Sequence, residues 1–301
     1  MEITPRAGAA NASVSVDMTG NPSASVNGMS KEKAMRDGGS AAVAIGTERA
    51  TEAPVVSGKN YIYAIVEGGE PMIYEALGLE GKDVYTITEG RLAAVVSGLT
   101  GFKIRPERAN LRAHQAVLKR LMAVTTPLPM AFGTVAASPE AIHKILIRNR
   151  RAFEEQFARV AGKVEMGLRV TWDVPNIFEY FVNTHTELRL ARDRLVGARH
   201  EFTQEEKIEL GRMFDRLLNE DRENHTARVE RVLAPLCSEF KANPCRNEQE
   251  VINLACLVKR DSQEAFSTGV FAAAQLFDNH FSFDYSGPWA PHNFVEIDLE
   301  Q

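Results

Sequence analysis

Apolar residues follow two regimes along this chain, with the change near Gly58. Residues 1–58 are mostly Ala, Ser, Gly, Asn and Thr with scattered charge, without apolar period and without an aromatic residue. Such a composition cannot offset the entropy of ordering, so a disordered extension is expected there, its apolar patch at 41–45 being too brief to anchor it. Pattern then appears abruptly. Residues 61–66 (Tyr-Ile-Tyr-Ala-Ile-Val) are β-branched and aromatic and stop at Gly68-Gly69, predicting a strand. A loop over 71–82 leads to residues 84–88 and 92–97, which read as a hairpin turning at Glu89-Gly90. A helix is predicted over about 106–123, with Pro106 in its first turn and Leu111, His114, Leu118 and Leu121 on one face. Residues 128–132 follow as a short edge strand, so placed because they contain Pro129. Ser138-Pro139-Glu140 opens a second helix that turns Ile142, Ile145, Leu146, Phe153 and Phe157 inward and Lys144, Arg148, Arg151 and Arg159 outward. A solvated face is the plain reading of those cations, ahead of an anionic docking surface.

The second half repeats the alternation of periods. Strand patterns at 164–172, 236–241, 251–258 and 281–285 enclose helical ones at 177–196, 203–233 and 261–277, with a capping box at Thr203 to Glu206. That order, strand, helices, two strands, helix, strand, is the ferredoxin-like one. The fold class expected is therefore α+β. It has a disordered extension (1–58), a modified ferredoxin-like domain with three strands before its helix (59–160), and a ferredoxin-like domain with extra long helices (161–287). An extended tail (288–301) closes the chain. In that tail Pro288 and Pro291 lack the ladder donor and are expected to force an unpaired ribbon carrying Trp289 and Phe294.

Composition narrows the function. The formal net charge of −5 argues against a phosphate-backbone binder, so no nucleic acid is expected as partner. Cys237, Cys245 and Cys256 have neither disulfide-framework nor zinc spacing, which suits a reducing cytoplasm. No apolar stretch approaches the roughly 20 residues of a membrane span, and the start lacks the pattern of a signal peptide.

Catalytic motifs are missing where they would be needed. No paired histidines at i, i+4 offer a metal site, and neither glycine-rich phosphate loop is present, so no metal or cofactor is expected. His185-Thr186-Glu187 and His225-Thr226-Ala227 fail the spacing of two-histidine phosphoesterases and fall in helical contexts. His114 lies on the buried face of its helix as a core histidine would, and Tyr61, Tyr63 and Tyr85 read as strand-packing aromatics rather than base-stacking ones.

Four blocks nevertheless resemble one family. Residues 105–115 (Arg-Pro-Glu-Arg-Ala-Asn-Leu-Arg-Ala-His-Gln) look like its Arg/Asn-Leu-x-x-His segment before a helix, and 128–135 (Leu-Pro-Met-Ala-Phe-Gly-Thr-Val) are close to its L-P-x-x-F-G-T. Residues 162–170 match its G-x-x-E strand, and 287–294 (Gly-Pro-Trp-Ala-Pro-His-Asn-Phe) resemble its C-terminus, with His292 where an aromatic is common. The family is the F/L group of gas vesicle accessory proteins, and the resemblance covers about 60–295. It implies a non-enzymatic accessory protein for gas vesicle assembly. Such a protein binds the hydrophobic major shell protein, assists nucleation and growth by holding subunits back from aggregation, and meets other accessory proteins, in the cytoplasm and at the vesicle. Arg108, His114, Phe132, Arg148, Arg151, Glu165, Arg169, Trp289 and Phe294 are the interface candidates. The alternative is a small-molecule-binding or enzymatic tandem ferredoxin-like protein, in which Arg108, His114, Glu165 and Arg169 line a cleft between the domains.

Overall fold

The computed structural model describes residues 14–16, 58–68, 72–100, 104–197 and 203–299. These divide into two compact units, one of residues up to 162 together with 290–299, the other of 163–289 together with 14–16. The first strand in the chain, β1 (Val14–Val16), belongs to the second unit. It falls in the stretch expected to be disordered, so that expectation gives way at these three residues. The remainder of 1–57 lies outside the described residues.

The first unit is an antiparallel sheet covered by helices. Its elements are β2 (Asn60–Glu67), β3 (Ile73–Tyr74), β4 (Val84–Glu89), β5 (Leu92–Gly98), α1 (Arg108–Met122), β6 (Leu128–Pro129), β7 (Val135–Ala136), α2 (Pro139–Arg148) and α3 (Arg150–Val160). The strands run in the order β3-β4-β5-β2-β6, and β7 pairs with β2 beyond β6. Strand β2 is buried on both faces, which is why its residues read as a continuous apolar run rather than an alternation. Tyr61, Tyr63, Val95, Val117, Leu118 and Leu121 sit at the centre of this core. The predicted strand at 128–132 shrinks to two residues at the sheet's end, extended by the Met130 N–H donating to the Tyr63 carbonyl at 2.9 Å. The helix predicted from Ser138 is in fact two: Ser138 caps α2 by accepting from the Ala141 N–H at 3.3 Å, and the helix breaks at Asn149 (φ −98°, ψ 13°). Buried Asn149 donates its side-chain amide back to the Ile145 carbonyl at 2.9 Å, the backbone competition that makes asparagine a poor helix interior.

The second unit contains β8 (Lys163–Trp172), α4 (Ile177–Thr184), α5 (Thr186–Val196), α6 (Gln204–Leu233), β9 (Cys237–Ala242), β10 (Glu250–Lys259), α7 (Gln263–Ala274) and β11 (Phe281–Trp289). Its sheet is antiparallel in the order β1-β11-β8-β10-β9. On β8 the even positions Val164 to Trp172 are buried while Gly167, Arg169 and Thr171 are only partly so, a half-buried strand's alternation. Helix α6 starts with the expected capping box: the Glu206 N–H donates to Thr203 Oγ1 at 3.2 Å and the Thr203 N–H to Glu206 Oε2 at 2.9 Å. The helix predicted over 177–196 breaks at His185, whose backbone is extended, so His185 is a junction residue and not a helical one.

The C-terminal run differs from its expectation. Strand β11 does not stop at Tyr285; it pairs with β8 up to Ser286↔Gly167, skips two residues, and pairs again at Trp289↔Glu165. The skipped residues are Gly287, at φ +130°, and Pro288, which has no N–H to contribute, so a bulge accommodates what an even ladder would reject. After Trp289 the chain joins the first unit, where Ala290 enters the core and Phe294 is fully buried.

Candidate functional site

Two of the four sequence blocks converge on one buried cluster in the first unit. Strand β2 projects Tyr61 and Tyr63 on one side two residues apart, and α1 brings His114 against them. The Tyr61 hydroxyl accepts the Gly133 N–H at 3.2 Å and lies 2.8 Å from His114 Nδ1, while Phe132 packs edge-on to both rings at 6.0 and 5.9 Å. The hydroxyl has lone pairs enough to accept from both Gly133 and His114, so the His114 tautomer sets which member of the Tyr61–His114 bond donates. The neighbouring Tyr63 hydroxyl accepts the Leu79 N–H at 2.8 Å and shares a 2.9 Å bond with Ser97 Oγ. Burial raises both tyrosines, and burial followed by a smaller repulsion from His292 lowers His114 to about 4. A general base poised for work near neutral pH needs a value close to 7, so this pair is set to hold two chain segments together rather than to move protons. The Arg/Asn-Leu-x-x-His block lies inside the first two turns of α1 and not ahead of it, and Arg108 is exposed at its start.

A polar groove of about 380 Å³ opens in the second unit, lined among others by Arg169, Thr171, Trp172, Asp173, Arg246 and Glu250. Two of its charges are committed to each other. Arg169 Nε stands 2.8 Å from the buried Glu250 carboxylate, which also accepts the Arg246 N–H at 2.6 Å. Arg222 donates to the backbone carbonyls of Glu250 and Asn247 at 3.0 and 2.7 Å, clamping the loop that carries Arg246. Glu165, buried in the same unit, does not line the groove, and neither do Arg108 or His114.

The remaining candidates scatter. Arg148 and Arg151 are exposed on α2 and α3, and Arg151 pairs along its own helix with Glu155 at 2.9 Å. Trp289 is partly buried, its indole N–H 3.4 Å from Ser286 Oγ, and the fully buried Phe294 offers nothing to a partner. No helix among the described residues is long and apolar enough to cross a membrane, and no cluster of three or more His, Cys, Asp or Glu side chains among them is arranged to hold a metal.

One stretch with exposed apolar side chains was not singled out by motif. Helices α5 and α6 lie side by side, tied by Arg216 and Glu187 at 2.9 Å, and toward their joined ends Leu190, Val196 and Ile208 are 50%, 67% and 43% exposed. No residue of 189–196 or 204–213 is buried. The available signal was length: a 30-residue helix, about 45 Å long, whose buried positions begin only at Phe214.

Known proteins resemble this chain over nearly all of that structure. The family described as gas vesicle synthesis protein GvpL/GvpF matches residues 59–296. Gas vesicle protein F of Dolichospermum flosaquae is 25% identical over 241 residues, spanning 79% of this chain and 98% of its own. Gas vesicle protein F of a Streptomyces species is 26% identical over 241 residues, spanning 78% and 99%. The crystal structure of GvpF from an Anabaena species superposes with a TM-score of 0.71 at 25% identity, covering 81% of this chain and all of that one. That of Microcystis aeruginosa GvpF, at 21% identity and a TM-score of 0.68, shares the fold.

Proposed function

The chain belongs to the GvpL/GvpF family of gas vesicle synthesis proteins, and from that premise we propose that it is a non-enzymatic accessory factor for gas vesicle assembly. It binds the hydrophobic major shell protein and, by covering apolar surface on unassembled subunits, assists nucleation and growth while suppressing aggregation. Other vesicle accessory proteins are further partners on this reading. The second unit, with the strand order β11-β8-β10-β9, serves as a ferredoxin-like domain with added helices, and the first as a modified relative.

One observation carries the binding role: the arm of α5 and α6 holds Leu190, Val196 and Ile208 in solvent, with charged side chains around them. Large side chains on a packed helix pair would ordinarily be turned inward, and exposed apolar residues among charged ones suit an amphipathic partner helix. The side chains offered for the catalytic alternative support it poorly. His114 is held neutral beside Tyr61, and Arg169 is paired with Glu250.

The test is to dilute denatured shell protein into buffer with and without the purified chain and follow light scattering. The proposal expects the full chain to suppress scattering at near-stoichiometric ratio, and the triple variant Leu190→Ser, Val196→Ser, Ile208→Ser to lose most of that effect at unchanged melting temperature. Scattering unaffected by the unaltered chain would overturn it.

A further inference from the structure

The polar groove of the second unit is held in shape by its own chain. On one side is the end of the β8–β10 ladder, where Thr171 pairs with Glu250, and on the other the loop 246–249. Several bonds fix that loop. The Trp172 N–H donates to the Gln249 carbonyl at 2.8 Å, and the Glu250 N–H donates to Asn247 Oδ1 at 3.0 Å. The Glu250 carboxylate accepts the Arg246 N–H, and Arg222 grips the carbonyls of Asn247 and Glu250. A volume of about 380 Å³ falls in the range of small-molecule sites, and walls already fixed need little ordering when a ligand arrives.

Four charged side chains line this groove, and only two of them are spent on each other, Arg169 and Glu250. Arg246 and Asp173 are exposed, and among the described residues neither side chain has an ion-pair or hydrogen-bond partner. Opposite charges that share a groove without meeting can be bridged by a molecule that carries the complementary pair. The same lining includes Trp172, 2% exposed, whose buried indole N–H makes no hydrogen bond. Buried donors are nearly always paired, so this one favours a ligand that brings an acceptor. The mixture of signs narrows the ligand further. A plain anion is drawn to Arg246 but repelled by Asp173, and a plain cation meets the reverse, whereas a zwitterion satisfies both.

We propose that this groove binds a small zwitterion of the amino-acid type, its carboxylate on the Arg246 guanidinium and the Trp172 indole N–H and its ammonium on the Asp173 carboxylate. Asn247 and Gln249 add neutral hydrogen-bonding groups around those two ends. The site binds without reacting, since no histidine, cysteine or lysine lines it to act as base or nucleophile. A bound zwitterion ties the segment after β8 to the loop before β10, so it raises the stability of the unit that holds it. The groove shares no lining residue with the exposed arm of α5 and α6, so the inference stands apart from whatever that arm binds.

The chain has two tryptophans, so isotope-labelled full chain gives two indole N–H resonances, and Trp289→Phe leaves that of Trp172. Glycine, β-alanine and γ-aminobutyrate serve as probes of increasing charge separation, with propionate and propylamine as single-charge controls. At least one of the amino acids should move the Trp172 indole resonance downfield in a saturable way and raise the melting temperature. Arg246→Gln and Asp173→Asn should each weaken that binding by about tenfold or more, the loss of one charged hydrogen bond. Neither should change the melting temperature of the free chain, because both side chains are exposed and unpaired. Propionate or propylamine binding as tightly as the best amino acid, or binding untouched by either variant, would overturn the zwitterion. An indole resonance that no probe moves would overturn the site.

Discussion

Around His114 the first unit encloses its aromatic rings and gives the Tyr61 and Tyr63 hydroxyls partners, whereas along α5 and the first half of α6 the second unit leaves large apolar side chains in water. The contrast runs against where chemistry-bearing residues are densest in the sequence. The block with arginine, asparagine and histidine, and the Leu-Pro-Met-Ala-Phe-Gly-Thr block, meet each other through His114, Phe132 and Gly133 and are used up in that meeting. The arm has no motif at all, only helical period continued past the point where a core requires it. On the proposed reading, residues that the fold needs and residues that a partner needs are drawn from different parts of the chain, and that division can be attacked from either side.

The strongest attack is on the buried side. Phe294 is fully buried after the chain has left β11, so Phe294→Ala should lower stability by about 3–5 kcal/mol, read by denaturant unfolding. A loss below 1 kcal/mol would move Phe294 back among the residues available for binding.

Acid probes the same region with a slightly smaller effect. His114, 3% exposed, is neutral when folded down to about pH 4, while in the unfolded chain it takes up its proton near the ordinary value of about 6.5. Between those values the unfolded state binds more protons, so stability is full above about 6.5 and falls as pH drops toward 4, by on the order of 3 kcal/mol from this group. His292 is likewise lowered to about 4 by desolvation and adds to the slope, so unfolding curves from pH 7 to 4.5 should show both, and His114→Gln should remove roughly half of it while lowering stability at neutral pH through the lost Tyr61 bond. An equal slope in the variant would assign the titration elsewhere.

Gly287 tests the bulge that hands the chain from one unit to the other. At φ +130° a side chain is strained, and a Cβ would stand 2.8 Å from Met166 Sδ and 3.0 Å from the Glu165 carbonyl. Gly287→Ala should cost roughly 2 kcal/mol and loosen Trp289 from Glu165 in the ladder, visible as faster amide exchange at β8's first turns.

Much of this was legible in the residues, and the gaps have physical causes. Strands β2, β4, β5, β8, β10 and the capped α6 were readable because period, turn residues and caps all agree there. The breaks at Asn149 and His185 were not, since the apolar period runs straight through both and only local hydrogen bonds decide. Nor was the continuation of β11 through Pro288, because a proline's missing donor excludes an even ladder but not a bulge. Strand β1 was hidden by composition: Val-Ser-Val among small polar residues has no period to speak of, and what orders it is the edge of a strand some 270 residues later. Of the site, the interior role of His114 could be read from helix spacing, while the exposed arm depends on what the remaining helices do not cover.

The smallest effect on stability is expected where the effect on function should be largest. Leu190, Val196 and Ile208 are about half exposed or more and none belongs to the buried core, so replacing any one by serine should change stability by less than about 1 kcal/mol. Affinity for shell protein should nevertheless fall stepwise with each replacement, because an apolar anchor contributes through the area it covers in the complex and not through anything it does in the free chain. Arg151→Glu on α3 is the matched control, since it reverses a charge as exposed as any of these residues while removing only a helix-surface ion pair. If Arg151→Glu weakened binding and the three serine variants did not, the partner would be reading charge on the first unit, and the division between a buried, structural first unit and an exposed, binding second unit would be reversed.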